Sequence, residues 1–405
     1  YQRENLVKAI SDTKDCLKIL MKKLCEEHES KFNPENSYQV QPILNNIAKD
    51  HASIEKDIAL MKRNLEDVLY ILLRIKKIVL EIDKTRTDYP ILHTAMEQGV
   101  EITEDLIACL VSLTENQDSD WVYWIEGEYK RSSKSKGKLT LSLFAVMIDI
   151  SNTLNMTFFE KINSCILTSA TLKVQNSFGY FLGRVGLYDI GYVQTKEFLS
   201  PFHYNEQVSY HQYGGAKEIS NNPSKVADLI YEVHKKYNKR TMVLFTSINA
   251  LSETAKILRA KPDGNDLPLF AQVRGASRPS IIKGMHERSN GILFGTNSFW
   301  EGVDLPGDLL EILIMVKLPF DVPTEPLVRS YANRINKLGG NSFIEYNLPE
   351  AIVKFRQGFG RLIRTSYDSG RFICLDNRIV RKRYGEIISQ SLPIEMQTFS
   401  DIYSI

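Results

Sequence analysis

The stretch Thr241-Met-Val-Leu-Phe-Thr-Ser-Ile248 decides the fold class. The run Thr241–Phe245 is short and mostly apolar, and from Ile248 to Ala260 apolar residues recur at helical spacing. A continuous apolar run of this length is typical of a strand that is buried on both faces of a parallel sheet. Thr246 and Ser247 follow the run directly, at the carboxyl end of the predicted strand, where sheets of this kind carry their functional groups.

Similar apolar runs lie elsewhere in the chain, at Cys165-Ile-Leu-Thr168, Gly291-Ile-Leu-Phe294, Ile312-Leu-Ile-Met-Val316 and Arg371-Phe-Ile-Cys-Leu375. Helical patterns lie between or after several of these runs, at residues 225–237, 325–337 and 349–356. Because apolar strands alternate with helices, we predict an α/β fold in which helices cover both faces of a parallel sheet.

The first 114 residues have a mainly helical character. Apolar residues recur at helical spacing in Leu6–Leu24 and, almost without interruption, in Val40–Ile82. A helical pattern this long predicts a projecting arm, because one such helix cannot wrap a compact core. Beyond it, Trp121–Glu126 and Leu139–Phe144 alternate like two strands of a hairpin, with a basic tip at residues 130–138.

The composition excludes several classes of protein. The chain has 405 residues with 51 Lys+Arg and 49 Asp+Glu, a net charge of +2, so any basic surface must be local. Its five cysteines include no C-x-x-C pair, which indicates free thiols in a reducing cytoplasm and excludes a zinc or iron–sulfur site built from this sequence. No apolar run approaches the roughly 18 residues of a membrane span. Because Tyr1 leads directly into a helical pattern without a signal peptide, we expect a piece of a longer polypeptide.

The stretch Gln357-Gly-Phe-Gly-Arg-Leu-Ile-Arg364 is the first candidate site. Arg361 and Arg364 are three positions apart, so on a helix they project from one face. Two guanidiniums held side by side suit phosphate oxygens, and Gly358 and Gly360 allow a ligand or another backbone to approach closely. An isolated R-x-x-R pair is typical of a solvated surface helix, but with Gln357 and both glycines present we favour a functional site.

Short polar side chains follow other predicted strands. These residues are Ser169, Ala170 and Thr171 after the first run, and Thr296, Asn297, Ser298, Glu301 and Asp304 after the Gly291–Phe294 run. The amide and hydroxyl groups suit phosphates or a ribose, and the two carboxylates suit a water molecule or the arginine pair. Each set alone is more often an ordinary turn or helix cap, so the interpretation depends on their combined order.

In chain order, S-A-T, F-T-S, G-T-x-S-F-W-E-G-V-D and Q-x-x-G-R-x-x-R resemble motifs III, IV, V and VI of superfamily 2 helicases. The longer phrases Leu167–Leu172, Ser298–Gly307, Lys317–Phe320 and Gln357–Arg364 are similar to the DinG/XPD branch, and within it to the Gram-positive DinG type. The resemblance covers about Trp121 to Pro393. It implies two RecA-like domains that enclose ATP and Mg²⁺, with single-stranded DNA or RNA across their top.

The resemblance assigns a role to each candidate residue. It implies that Gln357, Arg361 and Arg364 are catalytic, with the arginines reaching the γ-phosphate of ATP. It implies nucleotide binding by Glu301, Gly302, Asp304 and Gly360, nucleic-acid binding by Phe245, Thr246, Ser247, Thr296, Asn297 and Ser298, and coupling of hydrolysis to domain movement by Ser169, Ala170 and Thr171.

The resemblance also implies a domain order: a helical arch-like region at 1–118, the tail of a first RecA-like domain at 119–190 and a second RecA-like domain at 191–405. The sequence contains no G-x-x-x-x-G-K-[ST] loop and no Asp-Glu-Ala-His box, so we expect the phosphate-binding lysine and the Mg²⁺ ligand in an earlier part of the same protein. This segment alone is then expected to bind no ATP or Mg²⁺ and to be inactive. Gram-positive DinG chains carry a 3′–5′ exonuclease domain, so the resemblance implies a cytoplasmic helicase or helicase-fused exonuclease in DNA repair or replication.

Two alternatives stay open at this point. The first is a non-catalytic nucleic-acid-binding or interaction module with a degenerate motor fold, which predicts salt-sensitive binding of single strands through the basic tip. The second is an unrelated doubly wound enzyme that acts on a small molecule. That enzyme would need a glycine-rich phosphate-binding turn or a cofactor fingerprint, and the sequence contains neither.

Overall fold

The computed structural model describes residues 2–33, 38–43, 54–82, 87–114, 120–132, 135–188, 190–272, 278–296, 299, 310–401 and 405. The chain divides into two units. Unit 1 comprises Tyr1–Asp149 and Pro323–Arg334, and unit 2 comprises Ile150–Val322 and Ile335–Ile405. The segment 119–190 is thus divided between the two units, and its assignment to a first motor domain stays a prediction.

Unit 1 combines long helices with a small antiparallel sheet. The helices are α1 (Gln2–His28), α2 (Glu55–Leu80) and α3 (Tyr89–Thr114), with a 3₁₀ turn at Glu29–Lys31. The strands β1 (Tyr38–Ile43), β2 (Trp121–Ser132) and β3 (Ser135–Met147) are hydrogen-bonded in that order. Helix α2 packs against α1 and α3, and β3 packs against the same two helices. The predicted hairpin is therefore confirmed, and its core includes Leu24, Phe32, Ile58, Ile125 and Leu141.

The long helix predicted across Val40–Ile82 is wrong at its beginning. Residues Tyr38–Ile43 form edge strand β1, which pairs with β2 and places Val40 opposite Glu126. This stretch reads Tyr-Gln-Val-Gln-Pro-Ile, an alternation that fits a strand, and its proline is tolerated because an edge strand leaves one row of N–H groups unpaired. Helix α2 begins only at Glu55.

Unit 2 is an α/β unit. Its seven described strands are β4 (Val208–Tyr213), β5 (Thr241–Leu244), β6 (Leu269–Ala271), β7 (Ile292–Gly295), β8 (Ile312–Met315), β9 (Gly370–Cys374) and β10 (Met396–Phe399). They form one sheet in the order β10-β4-β9-β8-β5-β7-β6, and each neighbouring pair is parallel. The predicted fold class is confirmed.

Helices connect and cover these strands. They are α4 (Ser151–Thr157), α5 (Gly179–Val185), α6 (Tyr204–Gln207), α7 (Pro223–Tyr237), α8 (Ile248–Arg259), α9 (Arg278–Glu287), α10 (Pro326–Lys337), α11 (Leu348–Phe359), α12 (Arg378–Arg381) and α13 (Arg383–Ser389). A 3₁₀ turn lies at Phe159–Lys161 and a π-helical turn at Phe343–Asn347. Helix α10 belongs to unit 1 as far as Arg334. Within the described ranges, each helix is too short or too polar to cross a membrane.

The core of unit 2 lies on both faces of the sheet. On one face Leu244, Met315 and Phe372 pack with α11, and on the other Val243, Ile314 and Ile373 pack with α7 and α8, in the two clusters of buried side chains that the sheet separates. Neighbouring residues of each central strand point to opposite faces. Both faces are covered, so every position of these strands is apolar, which explains the continuous runs in the sequence.

The strand predicted at Cys165–Thr168 is wrong. Residues 164–169 have no regular secondary structure, and Ile166 is 91% exposed. An apolar run becomes a buried strand only where neighbouring strands pair with its backbone, and within the part of the chain that the structure describes no strand does so.

Candidate functional site

Helix α11 positions the first group of candidate residues. Leu348, Ile352, Phe355 and Phe359 recur at helical spacing and are buried against the sheet, which orients the helix. Gln357 lies near its carboxyl end and is half-buried. Its Oε1 atom is buried and accepts no hydrogen bond from the described residues. A buried amide oxygen of this kind is suited to a donor from a ligand or from water.

The helix ends before the two arginines. Gly360 follows the last helical residue, Phe359, and donates its amide to the Arg356 carbonyl at 2.9 Å. Arg361 lies in the turn that follows, and Arg364 lies in the loop beyond it. The prediction that both arginines project from one helical face is therefore wrong. Glycine is a poor helix former, and Gly358 and Gly360 place two glycines at this end.

Asp368 shapes the loop that carries Arg364. Its Oδ2 atom accepts from the backbone amides of Arg364 and Thr365 at 2.8 and 2.9 Å, and its Oδ1 atom accepts from the Thr365 hydroxyl at 2.6 Å. Burial alone raises the pKa of Asp368, but these hydrogen bonds outweigh it and hold the pKa below its usual value. Leu362 and Ile363 are buried, so the loop is fixed on both sides of Arg364.

Arg361 and Arg364 are both half-buried. Burial lowers the pKa of Arg364, and the nearby Asp368 carboxylate opposes that effect. The ordinary pKa of arginine is so high that the guanidinium remains charged at neutral pH. A cation that has lost part of its water shell interacts more strongly with an anion than one in bulk solvent. The loop is therefore chemically suited to bind phosphate oxygens.

The turn Ser169-Ala170-Thr171 is tied to helix α11. Arg356 donates from Nη2 to the Ala170 carbonyl at 2.9 Å and from Nη1 to the Lys173 carbonyl. Within the turn, the Ser169 hydroxyl accepts from the Thr171 amide at 3.3 Å. The structure thus brings the predicted coupling residues onto the helix that carries Gln357. Sequence reasoning missed Arg356, for which the only signal was its position next to Gln357.

Phe245 requires a correction. Its side chain is only 1% exposed and packs against Phe294, with 5.0 Å between ring centroids. The ring supports the core at the end of β5, so its predicted contact with nucleic acid is wrong. Thr246 is half-buried and Ser247 is exposed. The Ser247 hydroxyl accepts from the Ala250 amide at 3.4 Å and caps α8.

Thr296 lies at the carboxyl end of β7 and is buried. Its amide and its hydroxyl both donate to Oε1 of Gln272, each at 2.9 Å. The side chain therefore joins the ends of β6 and β7, and its contact with nucleic acid stays a prediction.

Several other candidates fall outside the described residues: Asn297, Ser298, Glu301, Gly302 and Asp304. Gly360 is described and exposed, and an added Cβ would lie 3.3 Å from the Arg356 carbonyl oxygen. Among the residues that the structure describes, no group of three or more His, Cys, Asp and Glu side chains is arranged to hold a metal ion.

A buried ion pair at the carboxyl ends of β8 and β9 was also missed. Asp376 is completely buried and accepts from the Arg378 Nε at 2.8 Å and from the Leu318 amide at 2.9 Å. The hydrogen bonds to Asp376 raise the pKa of Arg378, whose guanidinium lies 5.6 Å from the centroid of the Phe320 ring. The pair fixes the stretch Lys317–Phe320, and its signal in the sequence is an Asp-x-Arg directly after the last apolar run.

Comparison with known proteins agrees with this fold and these motifs. A solved XPD helicase structure covers 98% of this chain with a TM-score of 0.54 and 17% identity, and the match spans 64% of that structure. Residues 230–395 match the helicase C-terminal domain family. The 3′–5′ exonuclease DinG of Bacillus subtilis (strain 168) is 35% identical over 282 residues, which are 68% of this chain and 30% of that protein. The chain belongs to the DinG/XPD-like helicase family.

A second DinG/XPD-like relative is the ATP-dependent DNA helicase DinG of Photobacterium profundum. It is 32% identical over 302 residues, which are 73% of this chain and 42% of that protein. The chain thus spans less than half the length of either DinG protein. Gln357, Arg361 and Arg364 lie inside the matched helicase C-terminal domain, and Ser169–Thr171 precede it.

Proposed function

We propose that the chain is the carboxyl-terminal part of a DinG-like, ATP-dependent helicase that acts on single-stranded nucleic acid. In this proposal it supplies one side of a nucleotide site, and an earlier part of the natural protein supplies the phosphate-binding lysine and the ligands of Mg²⁺. The observation that carries the proposal is the junction after α11. There Gln357, Arg361 and Arg364 follow one another on a segment that Asp368 fixes.

The two arginines would act on the transferred phosphoryl group. Arg361 and Arg364 donate N–H groups to oxygens of the γ-phosphate, and the guanidinium charge stabilises the negative charge that develops there as the bond to the leaving phosphate stretches. The buried Oε1 of Gln357 accepts a hydrogen bond from the attacking water or from the nucleotide. Mg²⁺ bridges phosphate oxygens in such sites, and we assign none of its ligands to the described residues.

Exposed apolar side chains support a first motor domain as the partner of this segment. Ile166 is 91% exposed, and Phe198 and Leu199 in the neighbouring irregular segment are also largely exposed. Apolar residues exposed together in this way mark a surface that another part of the protein covers. The run Cys165–Thr168, which lacks a strand partner here, would then join the sheet of that domain.

ATP hydrolysis tests the proposal. With single-stranded DNA and Mg²⁺, the 405-residue chain alone is expected to hydrolyse no ATP above background, and the natural full-length protein is expected to hydrolyse it. Arg361→Ala or Arg364→Ala in the full-length protein should lower turnover by roughly 10³-fold or more, with nucleotide affinity less affected. Arg383→Ala, which removes an exposed arginine, is the matched control. Unchanged turnover in both test variants, or robust DNA-stimulated turnover by the chain alone, would contradict the proposal.

A further inference from the structure

We infer that Arg356 is a positioning residue, which holds the Ser169–Thr171 turn at a fixed place beside Gln357 and thereby links the two motifs. The inference rests on the proposed function for its consequence, and on the hydrogen bonds of one side chain for its geometry. Nucleotide and nucleic acid need not touch Arg356 itself.

The guanidinium of Arg356 reaches two main-chain oxygens on the far side of the turn. It donates to the carbonyls of Ala170 and Lys173, which bracket Thr171 and Leu172. Both acceptors belong to the backbone, so the contact fixes the path of the turn whatever side chains it carries. Only arginine combines a planar fork of donors with this reach, and a lysine at the same position can bond one carbonyl well but not both.

Helix α11 holds the same segment at a second point. The Tyr180 hydroxyl donates to the carboxylate of Glu350, which lies in the first turn of α11. Burial and the Glu350 charge raise the pKa of Tyr180, so the hydroxyl stays protonated and continues to donate. Because Val174, between the two contacts, is buried in the core cluster that contains Phe355, the segment follows the helix closely from Ala170 to Tyr180.

A charged contact continues from the turn to the next irregular segment. Lys173 forms an ion pair with Glu197. Burial lowers the pKa of Arg356, and the negative charge of Glu197 opposes that effect, which places this carboxylate within electrostatic range of both cations. Movement of the turn would therefore disturb the surroundings of Arg356, and the next residue along α11 is Gln357.

Loss of Arg356 should loosen the turn without unfolding unit 2. Ala170 is exposed, so water can replace the guanidinium at its carbonyl. The buried face of α11 consists of Leu348, Ile352, Phe355 and Phe359, which Arg356→Ala leaves intact. A substitution that only frees the turn is thus available, and its effect is separable from general loss of stability.

Hydrogen exchange of the 405-residue chain tests the geometry. In Arg356→Ala we expect the amides of residues 165–173 to exchange at least roughly tenfold faster than in wild type, with β9 unchanged, because the local opening no longer breaks two hydrogen bonds. Arg356→Lys should be intermediate. Lys354→Ala, which removes an ion pair with Asp321 on the same helix, should leave these amides at the wild-type rate. Wild-type exchange in Arg356→Ala would overturn the inference.

ATP turnover of the natural full-length protein tests the link between the motifs. Arg356→Ala should lower the ratio of DNA-stimulated to unstimulated turnover by roughly fivefold or more, the usual scale of coupling between two sites, while KM for ATP changes little and Arg356→Lys restores part of the ratio. A wild-type ratio in Arg356→Ala would show that the contact is structural only. If the wild-type protein hydrolyses no ATP, the proposed function fails, and the exchange result alone still decides whether Arg356 holds the turn.

Discussion

Substitution of Asp368 by alanine tests whether one carboxylate fixes the loop that carries Arg364. Asp368 is only 9% exposed and accepts three hydrogen bonds, from the amides of Arg364 and Thr365 and from the Thr365 hydroxyl. Hydrogen bonds to a charged group contribute about 1.5–3 kcal/mol each. Because Thr365 is exposed, water can replace part of this loss. We therefore expect Asp368→Ala to lower the free energy of unfolding of unit 2 by about 2–4 kcal/mol.

Hydrogen exchange of the β9 amides measures this loss, because core strands exchange through global opening. Ser366→Ala, in the same loop but exposed, should change the free energy by less than about 0.5 kcal/mol, and Asp368→Asn, which keeps an acceptor oxygen, should lie between the two. The folded-state pKa of Asp368 is below its ordinary value of 3.8. Its contribution is therefore complete above that pH and is lost as the pH falls through the folded pKa. Asp368→Ala within about 0.5 kcal/mol of wild type at neutral pH would refute the reasoning.

Two further predictions concern other parts of unit 2. Burial, Arg371 and Lys236 lower the pKa of His211 from 6.5 to about 4, so folding keeps it neutral, its contribution is complete above pH 6.5, and stability is lost as the pH falls from there towards 4. His211→Gln should flatten that limb, which urea midpoints at pH 7 and 5 would show, and equal slopes for both proteins would contradict it. Phe245→Ala should lower the free energy of unfolding by about 3–5 kcal/mol as a core truncation, against about 1 kcal/mol for the cap substitution Ser247→Ala. Thermal denaturation separates the two, and equal losses would refute the core role of Phe245.

The central strands could be predicted because both of their faces are covered. Strands β5, β7, β8 and β9 are continuous apolar runs, and the structure places each at its predicted position to within one residue. Strand β4 was missed because Ser209, His211 and Gln212 interrupt its apolar residues. It lies beside edge strand β10, where burial is less complete. The run at Cys165 carries the same local signal as β5, and only the absence of a neighbouring strand in the described residues separates them.

The candidate site could be predicted in its residues but not in its local shape. Gln357 lies on a helix as expected, whereas Arg361 and Arg364 lie beyond its end because Asp368 binds the amides that a longer helix would have used. Arg356 could not be identified from local pattern, since its acceptor at Ala170 is 186 residues away in sequence. Contacts of that separation depend on the completed fold.

Affinity for a mimic of the transferred phosphoryl group tests the central claim most directly. The measurement compares binding of ADP–aluminium fluoride with binding of ADP alone, in the natural full-length protein and in its Arg361→Ala and Arg364→Ala variants. If the two guanidiniums stabilise the charge of the transition state, the preference for the mimic should fall by roughly 10²-fold or more in each variant, while the affinity for ADP changes little. An unchanged preference in both variants would contradict the account.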